Sequence, residues 1–244
     1  MLVSVVIPCY NEENRIAPTL EEVKRYFRRR GFESEIILVN DGSTDNTLEI
    51  IKSFENLKVV SWSENRGKGS AVKAGLETAV GDYVLITDAD LSTPIEEADK
   101  LFALLRHYDI VIGSRQSDGA VIQKYQPLHR LILGMIFGFT VRTLFSMKYH
   151  DTQCGFKAMT LYSAKVVSKK LTIRGFTCDV EMLAIADNLG LNVAEVGVRW
   201  RDMRGSKLKP VKHFKSIITE LIQIKKNYPS SKKQIKFFRK NTFP

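Results

Sequence analysis

"YVLITDAD", residues 83–90, decides the fold. Tyr83 to Thr87 run apolar, aromatic or β-branched without alternation, as in a strand buried on both faces, and the run then meets two carboxylates, Asp88 and Asp90. Four other runs share this form: "VSVVIP" (3–8), "EIILVND" (35–41), "KVVSW" (58–62) and "IVIGSR" (110–115). Helical patterns are expected between them at 16–30, 44–55 (with Ser43 as N-cap), 69–79 and 95–107. Short Val/Ile-rich strands alternating with helices predict an α/β fold with a mostly parallel sheet covered on both sides. After residue 115 the alternation weakens. The expectation there is a loop, an apolar helix, a strand near 155–162, a helix near 179–189, a strand at 192–200 and a helix from about 211 to 227.

In such sheets ligands gather beyond the carboxyl ends of the strands. The polar clusters of this chain all fall there: "PCYNEE", "NDGSTD", "SENRGKG", "DADLST" and "GSR". Carboxylates at i and i+2 of a strand end converge, and converged carboxylates repel unless a cation lies between them. Oxygen donors of this kind suit Mg²⁺ or Mn²⁺. The alternative is that Asp88 and Asp90 cap the following helix together with Ser92 or Thr93.

The chain has 244 residues, 44% of them hydrophobic, enough for one large core, and one domain over 1–228 is expected, followed by a basic tail over 229–244. Cys9, Cys154 and Cys178 lie far apart, so neither a zinc cluster nor a disulfide framework is indicated and a reducing compartment fits. A net charge of +10 calls for an acidic partner: nucleic acid, anionic lipid or a phosphorylated small molecule. From Lys225 onward there are basic residues and no acids, interleaved with Ile235, Phe237 and Phe238, which reads either as a surface tail for an anionic membrane or as a solvated one. "MLVSVVIPCYNEENR" lacks a basic region before its apolar run, so no secretory signal is expected and the chain is placed in the cytoplasm. "LILGMIFGFTVRTLFSM" (131–147) carries Arg142 and falls short of the ~20 residues that span a bilayer. It reads as a buried or an interfacial helix.

The stretches "VSVVIPCYNEENRI", "EIILVNDGSTDNT", "ENRGKGSAVKAGLETAVGDYVLITDADLSTP", "IVIGSR", "DTQCGFKAM" and "RWRDMRGSKLK" occur in the order found in the inverting family-2 glycosyltransferases. The sequence resembles that family, and within it the dolichyl-phosphate (polyprenyl-phosphate) sugar transferases, over residues 3 to 209. The resemblance implies an A-type glycosyltransferase fold, a single Rossmann-like domain, with a UDP-sugar (or GDP-mannose) as donor and a membrane-borne lipid phosphate as acceptor. It implies a nucleotide-sugar site made of Pro8, Tyr10, Glu12, Asp41, Arg66, Lys68, Asp88, Ala89 and Asp90, with Asp88 and Asp90 on the metal. Arg115, Arg130 and Lys207 match positions near the acceptor phosphate, and Asp179 is expected to orient sugar or acceptor. "DTQCGFK" and "DADLSTP" are closer to the glucosyl-transferring members, and Ser92 stands where some mannosyl relatives carry a metal-binding glutamine. UDP-glucose is therefore the expected donor, with GDP-mannose, or a soluble acceptor, as the alternatives.

The acceptor's chemistry sets a further expectation. A sugar hydroxyl would need a general base, whereas a phosphate monoester, with a second pKa of about 6, is already a dianion at neutral pH. No carboxylate is then indispensable as a base, and Asp151, Asp179 and Glu181 are the candidates against which this is judged. Peripheral attachment at the cytoplasmic face of a membrane follows from such an acceptor. A processive synthase is disfavoured by the absence of QxxRW, an oxidoreductase by the absence of GxGxxG after the first strand, and a nucleic-acid module by basic residues without interleaved aromatics.

Overall fold

The computed structural model describes residues 1–124, 127–203 and 210–229. A seven-stranded sheet forms its centre: β1 (Leu2–Cys9), β2 (Glu33–Asp41), β3 (Leu57–Trp62), β4 (Tyr83–Ile86), β5 (Ile110–Ser114), β7 (Lys157–Thr160) and β8 (Val193–Gly197). Their order is β3-β2-β1-β4-β7-β5-β8. Every pairing is parallel except those of β7, which runs antiparallel to both β4 and β5. The helices are α1 (Ile16–Arg30), α2 (Thr47–Lys52), α3 (Lys68–Thr78), α4 (Ala98–Leu104), α5 (Leu128–Phe145), α6 (Leu161–Lys170), α7 (Cys178–Leu189) and α8 (Pro210–Asn227). β6 (Val121–Lys124) and β9 (Arg199–Arg201) pair as a separate two-stranded ribbon.

The unbroken β-branched runs have the burial expected of them. Val3, Val5 and Ile7 of β1 pack on one side with Leu20, Val23 and Phe27 of α1. Val6 faces the opposite side, with Leu76 of α3 and Ile185 of α7. At about 25 cal/mol per Å² of apolar area, burial on both faces makes these strands the main source of stability. The strand order, which runs β1, β2, β3 towards one edge, turns back at β4 on the other side of β1, and that is where doubly wound sheets open a crevice.

Several elements differ from expectation. β4 ends at Ile86, so Asp88 and Asp90 lie in the turn beyond it, where Leu91 adopts a φ of 46°. The second helix starts at Thr47: the Ser43 hydroxyl is not its cap, and instead accepts from the Asn11 N–H (2.9 Å), while Asp45 Oδ1 accepts from Thr47 N–H (3.0 Å). The fourth begins as a 3₁₀ turn, Ile95–Glu97. The single strand expected at 192–200 is two, split at Val198, whose N–H and C=O bond to Ser114 and Val121. β6 and α6 carry weak periodicity and were not anticipated. The apolar run forms α5, largely exposed: its second half reaches the core, through Phe137, Val141 and Phe145. Among the described residues no helix is long and apolar enough to cross a membrane.

α3 meets β1 at Gly75, where a Cβ would stand 2.2 Å from Val6 Cγ1. We expect Gly75→Ala to lower stability by about 1–3 kcal/mol through overpacking, although alanine is the better helix former by ~1 kcal/mol. Urea denaturation measures it, and the pair Val6→Ala/Gly75→Ala should recover part of the loss.

Candidate active site

The loop after β3 is held by Asp41 at the end of β2. Its Oδ1 accepts from Trp62 Nε1 (2.7 Å) and from the Arg66 N–H (2.8 Å), and its Oδ2 from the Gly67 N–H (2.9 Å). A buried carboxylate satisfied this way is rigid. The exposed Arg66 guanidinium lies 4.9 Å from the centroid of the Trp62 ring. Pro8 is the last residue but one of β1, the half-buried Tyr10 follows the strand, and Glu12 pairs with Arg15 at 2.6 Å. Arg15 in turn reaches Asp90 at 4.0 Å, which joins the loop after β1 to the loop after β4.

Lys68, in the first turn of α3, reaches across the crevice. Its Nζ lies 3.0 Å from Asp88 Oδ1 and 3.5 Å from Asp179 Oδ2. Burial alone would lower the Lys68 pKa, but Asp179 and then Asp88 hold it well above the ordinary lysine value. Burial would likewise raise the Asp88 pKa, yet Lys68 foremost, with Lys157 and Arg115 behind it, keeps that carboxyl below the usual range. Asp90 goes the other way, raised first by burial and then by the charge of Asp88. The Ala89 carbonyl between them accepts from Thr19 Oγ1 (2.7 Å), fixing the turn to α1. Asp90 Oδ1 accepts from the Ser92 N–H (2.9 Å), and the Ser92 carbonyl accepts from the Arg201 N–H (2.9 Å) of the ribbon.

These residues fit a divalent cation. Asp88 and Asp90 offer hard oxygen donors, and the repulsion that raises Asp90 is what a cation between them would remove. Among the described residues no group of three or more His, Cys, Asp or Glu could hold a metal by itself. The pair therefore suits an ion that takes its remaining ligands from water and a diphosphate.

On the other flank, Arg115 Nε and Nη2 donate to Asp151 Oδ2 (2.6 Å) and Oδ1 (2.8 Å), and the Arg115 backbone N–H adds a third bond to Oδ2 (3.0 Å). Burial would raise the Asp151 pKa, but Arg115 holds it below the usual range. Glu195 of β8 receives the Asp151 N–H (2.7 Å), and the Arg115 guanidinium lies 5.6 Å from the Trp200 ring centroid. Arg115 is thus fixed at the carboxyl end of β5 with its charge felt at Asp88.

Of the residues predicted for the site, Lys68, Asp88 and Asp179 are in direct contact, and Glu12 and Asp90 share Arg15. Asp41 and Arg66 meet through the backbone. Arg130 lies in the first turn of α5, its side chain outside the described residues, and Lys207 lies outside them altogether. Sequence reasoning missed Arg15, Lys157 and Gly155. Lys157 donates to Asp179 Oδ1 (2.5 Å) and to the Cys154 carbonyl. At Gly155 a Cβ would stand 2.1 Å from Asp88 Oδ2, so the carboxylate occupies the space a side chain would need. "CGFK" contained both residues, but no periodicity marks a lysine that points into the interior.

The family model "Glycosyl transferase family 2" matches residues 4–169. Similar proteins include the dolichyl-phosphate beta-glucosyltransferases of Dictyostelium discoideum (31% identical over 245 residues, 92% of this chain and 74% of that one) and Drosophila melanogaster (36% over 228 residues, 85% and 69%). That of Homo sapiens is 31% identical over 243 residues, 92% of this chain and 75% of its own. Among solved structures, mannosyl-3-phosphoglycerate synthase from Rubrobacter xylanophilus superposes with a TM-score of 0.69 at 17% identity, over 91% of this chain and 73% of that one. Glucosyl-3-phosphoglycerate synthase from Mycobacterium tuberculosis, in complex with Mn²⁺, UDP and phosphoglyceric acid, gives 0.69 at 20% identity, over 91% and 76%. Both likenesses concern the fold, which is the A-type glycosyltransferase fold expected from the sequence. With the family model covering more than half of its length, the chain belongs to glycosyl transferase family 2.

Proposed function

We propose that this protein transfers glucose from UDP-glucose to dolichyl or another polyprenyl phosphate with inversion, giving a β-linked lipid-phosphate glucose. One observation carries the choice of acceptor: every carboxylate considered as a base is already engaged. Asp151 is bound by Arg115, and Asp179 by Lys68 and Lys157. Glu181 is fully buried and accepts from Thr172 Oγ1 (2.6 Å) and from the Thr172 and Ile173 N–H groups (3.0 and 2.8 Å). An acceptor that arrives as an anion needs no base. The names of the relatives support the sugar and the lipid.

In this reading an oxygen of the lipid phosphate attacks the anomeric carbon, and the bond from that carbon to the β-phosphate oxygen breaks, its electron pair leaving with UDP. No proton moves at neutral pH. Asp88 and Asp90 would hold Mg²⁺ or Mn²⁺, which when bound neutralises charge on the diphosphate. Lys68, beside Asp88, adds a second positive charge on the nucleotide side, and Arg115, its fork fixed by Asp151, faces the acceptor phosphate, to which the sequence pattern also assigns Arg130 and Lys207. Asp41 anchors the loop that flanks the base, and Pro8, Tyr10 and Glu12 form the shelf beneath it.

The acceptor lies in a membrane, and α5 is the surface that meets it, at the cytoplasmic face. Leu128, Met135, Ile136 and Phe139 are each more than half exposed (70, 61, 58 and 65%). Exposed aliphatic and aromatic side chains forgo about 1.5–3 kcal/mol each relative to burial. The tail from residue 229, carrying five basic residues (Lys232, Lys233, Lys236, Arg239 and Lys240), supplies attraction to anionic headgroups of ~1 kcal/mol per charge near the surface.

A panel of nucleotide sugars incubated with dolichyl phosphate and Mg²⁺ or Mn²⁺ tests the reaction. Nucleotide release with UDP-glucose is expected, and release with GDP-mannose alone, or without the lipid, overturns it. Asp151→Asn, Asp179→Asn and Glu181→Gln should each lose activity to a degree that raising the pH does not restore. A loss of ~10²–10⁴-fold that recovers with pH would identify a base. In the unaltered protein kcat/KM for the acceptor should fall as the pH drops through about 6, where the phosphate dianion is protonated. Flotation with anionic vesicles should show weaker binding by Met135→Glu/Phe139→Glu and by a chain ending at residue 228. Equal binding by all three would remove α5 and the tail from the account.

A further inference from the structure

Among the described residues Lys157 is the one lysine or arginine withdrawn from solvent, 1% exposed. Nothing in the proposed reaction uses it. A buried ion pair is often no more stabilising than apolar side chains of the same volume, so filling the core does not account for a lysine here. Its place does. β7 is antiparallel, so its first residue stands level with Ile86, the last residue of β4, and with Ile112 of β5, close to the carboxyl edge of the sheet. From there charges alternate towards the nucleotide side: Lys157 Nζ to Asp179 Oδ1 at 2.5 Å, Asp179 Oδ2 to Lys68 Nζ at 3.5 Å, Lys68 Nζ to Asp88 Oδ1 at 3.0 Å.

We propose that Lys157 is a positioning residue for the transfer reaction. By occupying Asp179 Oδ1 it makes Lys157, rather than Lys68, the principal cation of Asp179, and so leaves Lys68 nearer to Asp88 than to Asp179. Without Lys157 the Asp179 carboxylate has Lys68 as its remaining cation and draws it away from Asp88, which takes positive charge from the place where the diphosphate would lie. The inference rests on the proposed reaction for its choice of substrates and on the ion pairs alone for its geometry.

Lys157→Met, which keeps length and leaves Asp179 paired with Lys68, tests it. The variant should bind UDP with Mn²⁺ more weakly in calorimetry and lose about 100-fold in kcat, the scale of a displaced group near the reaction centre. Because Lys157 acts through Lys68, Lys68→Met/Lys157→Met should lose no more than Lys68→Met. A crystal of Lys157→Met should show Lys68 Nζ nearer to Asp179 than to Asp88. A variant that is merely less stable, with unchanged UDP affinity, unchanged kcat per folded molecule and Lys68 unmoved, overturns the proposal, as do additive losses in the pair. Should Lys157→Met not fold, Lys157→Met/Asp179→Asn takes its place: its loss should equal that of Asp179→Asn alone, and a further loss overturns the role. Unaltered protein that binds UDP yet glucosylates no lipid phosphate would refute the proposed reaction, and the UDP affinities and the Lys68 position would still decide Lys157.

Discussion

Charge taken out of water must be met by opposite charge or the fold cannot hold it, and at the carboxyl edge of this sheet that constraint shapes everything around it. Two ammonium groups and two carboxylates, from α3, β7, α7 and the turn after β4, neutralise one another within 3.5 Å steps. The guanidinium of Arg115 and the carboxylate of Asp151 do the same one strand away. Asp90 is the exception: among the described residues its cation is Arg15, 4.0 Å off, with Ser92 donating to it, and its carboxyl is raised above its ordinary range by burial and by the charge of Asp88. That deficit of positive charge sits at the pair proposed to hold the metal.

The sheet makes this possible by breaking its own rule once. Parallel strands deliver loops to one edge and bury their beginnings at the other. β7 enters reversed between β4 and β5, so its first residue, Lys157, and the segment leading into it, Cys154 to Phe156, arrive at the functional edge. Without that reversal the site would have walls on the β1–β3 flank and none behind Asp88.

Most of the fold was legible in the sequence because a strand buried on both faces leaves an unmistakable run: β1, β2, β3 and β5 lie where the Val/Ile stretches placed them, and α1 begins at Ile16 and ends at Arg30 as its amphipathic spacing requires. The paired aspartates, the Asp41 turn and the glycine-flanked Lys68 were legible as strand-end polar clusters. What escaped was set by tertiary contact. Lys157 reads as an ordinary lysine opening a strand, and Arg15 as an ordinary surface residue before a helix; only their partners, 22 residues on for one and 75 for the other, reveal them. Ser43 was misread as a cap because a hydroxyl before a helix has two uses, and here loop-to-loop bonding to Asn11 won. Composition left α5 undecided between core and surface, since an apolar helix looks the same from its letters in either place.

The carboxylate of Asp88 fills the volume that a side chain at position 155 would require. The two positions are therefore coupled in inheritance: a side chain at 155 has to displace the Asp88 carboxylate from its place beside Lys68, and a lineage that gave up the aspartate would be released to vary at both. Descent with change would then leave a paired signature at sites 67 positions apart, written by crowding alone.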